Sequence, residues 1–85
     1  MAERTADEVA EIFTNAGDSV TVINGNKRAD QTDAEWKNWL QCNVDHLETI
    51  KAYKKEDGTT SIWTSEDFSA QDAAVTAGKN KIAAL

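Results

Sequence analysis

This 85-residue chain has no proline, a single cysteine and a single histidine. Without proline, no element is kinked or stopped by a missing backbone N–H. With Cys42 alone, no disulfide can form within the chain, and an unpaired thiol suits a reducing compartment or a quiet packing role. No apolar run approaches the length that spans a bilayer. The opening Met-Ala-Glu-Arg-Thr lacks the basic-then-apolar order of a signal peptide, so none is expected. Basic charge is also short: 9 Lys and Arg stand against 15 Asp and Glu, a net charge of −6. That balance argues against direct nucleic-acid binding, which needs basic patches, and against anionic membrane surfaces. It suits solubility, a basic protein partner or an acidic mimic of a phosphate backbone. Neither a calcium-loop spacing nor a glycine-rich phosphate loop is present, and Asn24-Gly25-Asn26 is too short to suggest a nucleotide site.

The strongest pattern present begins at Thr32. Thr32-Asp33-Ala34-Glu35 has the spacing of a capping box, in which the Thr hydroxyl and the Glu carboxylate each satisfy an orphan backbone N–H. Asp33 and Glu35 also put negative charge at the positive end of the helix dipole. Trp36, Trp39, Leu40, Val44, Leu47 and Ile50 follow at helical intervals, with polar residues behind them. The pattern predicts a central amphipathic helix over residues 33–54, roughly 30 Å long. Its apolar side looks too wide for so short a chain to cover alone.

Two shorter helices are expected to pack on it. Thr5-Ala6-Asp7-Glu8 repeats the box spacing, Val9, Ile12 and Phe13 follow, and Gly17 reads as a left-handed stop, giving a helix over 6–16. Val20, Val22 and Ile23 are β-branched and precede Asn24-Gly25, so 19–23 reads as one short β or extended segment. Its mate would be residues 59–63 or another chain; otherwise it crosses the core as a connector. Capping residues in Thr64-Ser65-Glu66-Asp67 and Ser69-Ala70-Gln71-Asp72 open a last helix over 66–78. Beyond Gly78, the apolar end Ile82-Ala83-Ala84-Leu85 either continues the helix or docks as an arm. The fold class is mainly α: one small helical domain, residues 1–85, with no repeat or low-complexity tract.

Candidate chemistry is sparse. His46 lies one helical turn after Cys42, the arrangement of a metal half-site or of a thiol beside its base. A metal would need further ligands, and Glu35, Asp45 and Glu56 have no motif spacing. A nucleophile would need an orienting group and an oxyanion hole. The plainer explanation is that Cys42 fills space beside the stripe and His46 lies on its flank. The grouped carboxylates fall mostly in first turns, where capping explains them. No catalytic residue, metal or cofactor is assigned, and no enzyme is expected. Trp36, Trp39 and Trp63 are the informative residues, since three tryptophans are many for this length and tryptophan is enriched at binding hot spots. With Phe68, Ile82 and Leu85 they form the candidate interface, Trp63 being the one expected nearest a partner because it precedes a turn, although filling the core would account for the tryptophans equally well.

One longer pattern remains. Arg28-Ala29-Asp30, Thr32-Asp33-Ala34-Glu35-Trp36, Asn43-Val44-Asp45-His46-Leu47-Glu48, Trp63-Thr64-Ser65-Glu66-Asp67-Phe68 and Ala77-Gly78-Lys79 together resemble small accessory proteins of tailed bacteriophages, over about residues 28–80. The resemblance carries no catalytic motif. It implies a virion component, such as a capsid decoration protein, binding further copies of itself or capsid proteins. The alternatives are a small regulator that binds a host or phage protein in the host cytoplasm, and an acidic nucleic-acid mimic.

Overall fold

A computed structural model describes residues 4–64 and 66–85. Residues 1–3 and Ser65 lie outside that description, including the part of the predicted capping region that falls on Ser65. Three helices, α1 (Ala6–Asn24), α2 (Asp33–Lys51) and α3 (Ser69–Ala83), run up, down and up around one core. The molecule measures 43 × 22 × 20 Å. The mainly α class expected from the sequence is what the chain adopts.

Both predicted boxes form. Thr5 donates its N–H to Glu8 Oε1 at 2.9 Å and its Oγ1 accepts from Glu8 N at 3.1 Å. Thr32 and Glu35 make the same pair at 2.8 and 3.1 Å. In each box the Thr backbone N–H, then its hydroxyl, holds the glutamate below the usual carboxylate range. A carboxylate whose folded value is lowered stabilises the fold above its unfolded value. That contribution is lost as pH falls through the lowered one.

α1 does not stop at Gly17, and residues 19–23 are not extended. The helix continues to Asn24, so α1 is as long as α2, at 19 residues each. The cause is burial. Ile12, Ala16, Ser19, Val20 and Ile23 keep a helical period through Gly17 and present one face to the core. Packing of that face outweighs the β preference of Val20, Val22 and Ile23 and the roughly 1 kcal/mol cost of a helical glycine. Thr21 fits in by donating its hydroxyl to the Gly17 carbonyl at 3.0 Å.

α2 carries Trp36, Leu40, Val44, Leu47 and Ile50 into the core. It ends at Lys51 rather than Lys54, because the next residues turn into a small antiparallel hairpin. Lys54 bridges Ser61, Lys55 N donates to Thr60 O, and Ile62 N donates to Tyr53 O. Asp57 sets this turn, accepting the Thr60 hydroxyl and the backbone N–H groups of Thr60 and Thr59. Together these donors hold its carboxyl far below the usual range. Gly58 takes the left-handed φ of 74° that follows. The mate of residues 59–63 is therefore the chain just before them, not residues 20–23.

α3 begins at Ser69, later than predicted, with Phe68 at the cap position and no side-chain cap. Asp67 instead accepts the N–H and hydroxyl of Ser69. α3 then passes straight through Gly78. A Cβ there would lie 2.5 Å from Val44 Cγ2 and 3.3 Å from Ile23 Cγ2. The missing side chain is what lets α3 reach α1 and α2 together. Past that point Ile82 packs on the core. Lys81 Nζ donates to the carbonyls of Ile23 at 2.5 Å and Gly25 at 2.9 Å. α1 has no basic residue in its last turn, so α3 supplies the cation its dipole favours. Two exposed ion pairs, Lys51–Asp72 and Lys79–Glu48, also join α2 to α3. Pairs of this kind are worth about 0–1 kcal/mol each.

Gly78→Ala is expected to destabilise the fold by about 1–3 kcal/mol, the cost of overpacking a close contact. Gly17, which has nothing within 4 Å of a built Cβ, serves as control, and Gly17→Ala is expected to stabilise by about 0.5–1 kcal/mol. Urea unfolding of both variants checks the pair.

Candidate functional site

The six candidate interface residues separate by burial. Trp36 is only 8% exposed and belongs to the core. Trp63 is half-buried and its indole N–H donates to the Ile50 carbonyl at 2.7 Å, joining the Tyr53 N–H on that oxygen at the end of α2. Its ring meets Phe68 edge-on at 4.8 Å and Phe13 at 6.0 Å, and Phe13 and Phe68 pack at 5.5 Å. Trp63 and Phe68 thus close the lower end of the bundle from within. Ile82 is half-buried against the core. Trp39, at 37%, and Leu85, at 48%, are the exposed large hydrophobic residues among those described.

The α2 stripe itself is not left open. Leu40, Val44, Leu47 and Ile50 are at most 2% exposed, because the full-length α1 and α3 cover them. The expectation that α2 needs another chain to hide its apolar side is therefore corrected.

Trp39 stands in the second turn of α2, beside the loop that enters it. That loop is held by its own polar groups. Gln31 Oε1 accepts from Arg28 N at 3.0 Å, and Lys27 Nζ donates to Gln31 O at 2.9 Å. The Arg28 guanidinium lies 5.3 Å from the centre of the Trp39 ring and pairs with Asp30 at 3.3 Å. A cation over an indole face is attracted by about 0.5–1 kcal/mol when exposed. Between loop and helix lies an apolar hollow of about 160 Å³, walled by Val22, Gly25, Gln31, Trp36 and Trp39. α1 and α3 both end, and α2 begins, at this end of the bundle, so Leu85 lies at the same end as the hollow.

A second depression of about 280 Å³ runs between α2 and α3. Leu47, Phe68 and Val75 give it apolar walls, and Lys51 and Asp72 stand at its rim, paired at 2.6 Å. Gln71 also lines it. This side chain is 6% exposed, and its Oε1 has no hydrogen-bond partner among the described residues. Sequence reasoning missed Gln71. The available signal was a polar residue at the 71, 74, 75, 78 positions, which form the inner face of α3.

Cys42 and His46 are both exposed on α2 and line neither cavity. No group of three His, Cys, Asp or Glu residues is placed to hold a metal among the described residues. The carboxylates with lowered pKa serve local structure: Glu8 and Glu35 in boxes, Asp57 in the hairpin, and Asp67 through the hydroxyl and N–H of Ser69. No helix among the described residues is long and apolar enough to cross a membrane.

Replacing Gln71 with the similarly shaped Met removes the orphan acceptor. Gln71→Met is expected to raise stability by about 1 kcal/mol, the low end of the penalty for an unsatisfied buried polar group. Thermal and urea unfolding check this, and a loss of stability would contradict it.

No protein-family model, no curated protein and no solved structure matches the chain.

Proposed function

We propose that the chain is a non-enzymatic protein-binding subunit that docks through Trp39 and the hollow beside it. The exposed indole of Trp39 carries this reading. It stands on a rigid helix, next to a preformed apolar hollow and a guanidinium, on a domain whose core is already closed. A large amphipathic ring in a pocketed patch is the composition of a binding hot spot. Leu85 at the same end extends the apolar surface.

The finer assignment is a bacteriophage virion component, such as a capsid decoration or accessory protein. Its support is the sequence pattern over residues 28–80, and the acidic surface suits a subunit that keeps its outer side in solvent. The covered α2 stripe favours a second reading, a small regulator that stays monomeric until its host or phage target fills the Trp39 patch. The acidic-mimic alternative gains little. Four of the chain's fifteen acidic residues, Glu8, Glu35, Asp57 and Asp67, are already engaged in caps and turns.

Light scattering over a range of concentration and salt separates the two readings. A virion subunit is expected to self-associate, more strongly as salt screens its negative charge, and Trp39→Ala is expected to abolish this. The same variant should lower folding stability by only about 1 kcal/mol, chiefly through the lost contact with the Arg28 guanidinium. A chain that stays monomeric throughout contradicts self-assembly and leaves the regulator reading. A loss of more than about 2 kcal/mol on Trp39→Ala would mean that Trp39 supports the core, and the docking role would fall.

A further inference from the structure

The hollow beside Trp39 differs in charge from the chain around it. Acidic residues outnumber basic ones 15 to 9 in the whole chain. Among the described residues, however, no carboxylate lines the hollow, and its one charged wall residue is Arg28. Two more cations stand beside it. Lys27 Nζ donates to the Gln31 carbonyl, and Lys81 Nζ donates to the carbonyls of Ile23 and Gly25. Neither lysine is in an ion pair among the described residues. Of the carboxylates at this end, Asp30 is paired with Arg28 and Glu35 closes its capping box, leaving Asp33 in the first turn of α2.

Arg28 has capacity to spare. Asp30 meets it at Nε, 3.3 Å away. A guanidinium carries five N–H donors in a fork, so its outer edge can hold a second carboxylate while its face stays over the Trp39 ring. The hollow itself, at about 160 Å³, is close to the roughly 150 Å³ apolar cavity that holds a benzene ring. It therefore suits one branched aliphatic side chain. A second copy offers no such side chain in an acidic setting. Trp39 and Leu85, the exposed large hydrophobic residues among those described, both lie at this same basic end.

We propose that the hollow receives a leucine-anchored acidic segment of a different protein. The leucine sits against Val22, Trp36 and Trp39, and a flanking carboxylate takes the outer edge of Arg28. The inference rests on the docking reading of this patch, in the form that keeps the chain monomeric until its target binds. A nucleic acid, the other common polyanion, fits less well. Arg28 already covers one face of Trp39, and three cations are few for a phosphate backbone.

NMR titrations of the full chain with three capped peptides test the partner's chemistry. The probes are acetyl-Glu-Glu-Leu-Glu-Glu-amide, the same peptide with alanine for leucine, and the same peptide with lysine for every glutamate. Salt is held at about 0.15 M, where a Debye length of about 8 Å lets the near cations outweigh the distant carboxylates. The acidic leucine peptide is expected to bind saturably and to shift the Val22 methyl and Trp39 indole signals. The alanine form is expected to bind about tenfold more weakly, the least that burying a leucine supplies. The lysine form is expected to bind several-fold more weakly than the acidic one, and Arg28→Gln is expected to narrow that preference. The proposal is overturned by no saturable binding of the acidic peptide, by equal binding of the leucine and alanine forms, or by shifts away from the hollow. It is also overturned by an unchanged preference in Arg28→Gln, or by a single-stranded oligothymidylate binding more tightly at the same signals. A lysine form that binds as well at the hollow overturns the acidic partner and leaves the docking reading standing. The docking reading itself falls on the stability of Trp39→Ala, measured with no peptide present. Because the peptides are compared on the unaltered chain, a variant that failed to fold would leave the test intact.

Discussion

The close approach of three helices at Gly78 is the constraint on which the rest of the structure depends. Val44 of α2 and Ile23 of α1 both reach the place where a side chain at residue 78 would stand. Both are fully buried there. An atom more on α3 would push it off both neighbours, opening a gap in a core where interiors are close-packed. Two consequences follow along the chain. α1 must remain helical as far as Ile23 to deliver that side chain, and α3 must remain helical beyond Gly78 to bring Ile82 inward and Lys81 onto the end of α1. Small domains bury a modest fraction of their surface, so a contact that joins all three elements carries more weight here than it would in a larger protein.

The same constraint explains how the ends of the bundle are finished. At the upper end, α1 lacks its own C-terminal cation, and Lys81 supplies one from α3. At the lower end, the Trp63 indole N–H joins the Tyr53 N–H on the Ile50 carbonyl while its ring packs edge-on against Phe68 and tilted against Phe13. Polar groups left over by helix termini are thus met by side chains far away in sequence. Among the described residues, the surface features left outside include Trp39 with its hollow, Leu85, and the cleft between α2 and α3. The amphipathic stripe that would have required a partner is covered by the chain's own helices.

How much of this was legible in the sequence depended on whether local and tertiary signals agreed. For α2 they agreed: the Thr32–Glu35 box, the apolar period and the dipole charges all marked one helix, and its start and core residues were read directly. For α1 they conflicted. Gly17 and the β-branched Val20, Val22 and Ile23 point locally to a stop and a strand, and only packing against α2 and α3 overrules them. Gly78 is the same problem seen from the other side, since a glycine in a helical stretch reads as a break until the neighbour that needs its absence of side chain is known. Of the candidate surface, Trp39 was named only as one of three tryptophans, and the expectation that Trp63 lies nearest a partner is corrected, since Trp39 is the exposed one. The inward turn of Trp63 was not legible, because its acceptor lies 13 residues away across a hairpin. Gln71 was hidden because a glutamine near a helix start looks like ordinary surface.

The account stands most directly on the three helices sharing one cooperative core around residue 78, and residue-resolved amide hydrogen exchange reads that property. Exchange at Ile23, Val44 and residues 79–82 is expected to require the same opening free energy, that of global unfolding, since local openings are cheaper than the whole only where packing is weak. Residues 20–23 or 79–82 exchanging orders of magnitude faster than Val44 would show that α1 or α3 comes apart short of the crossing, and would contradict the account.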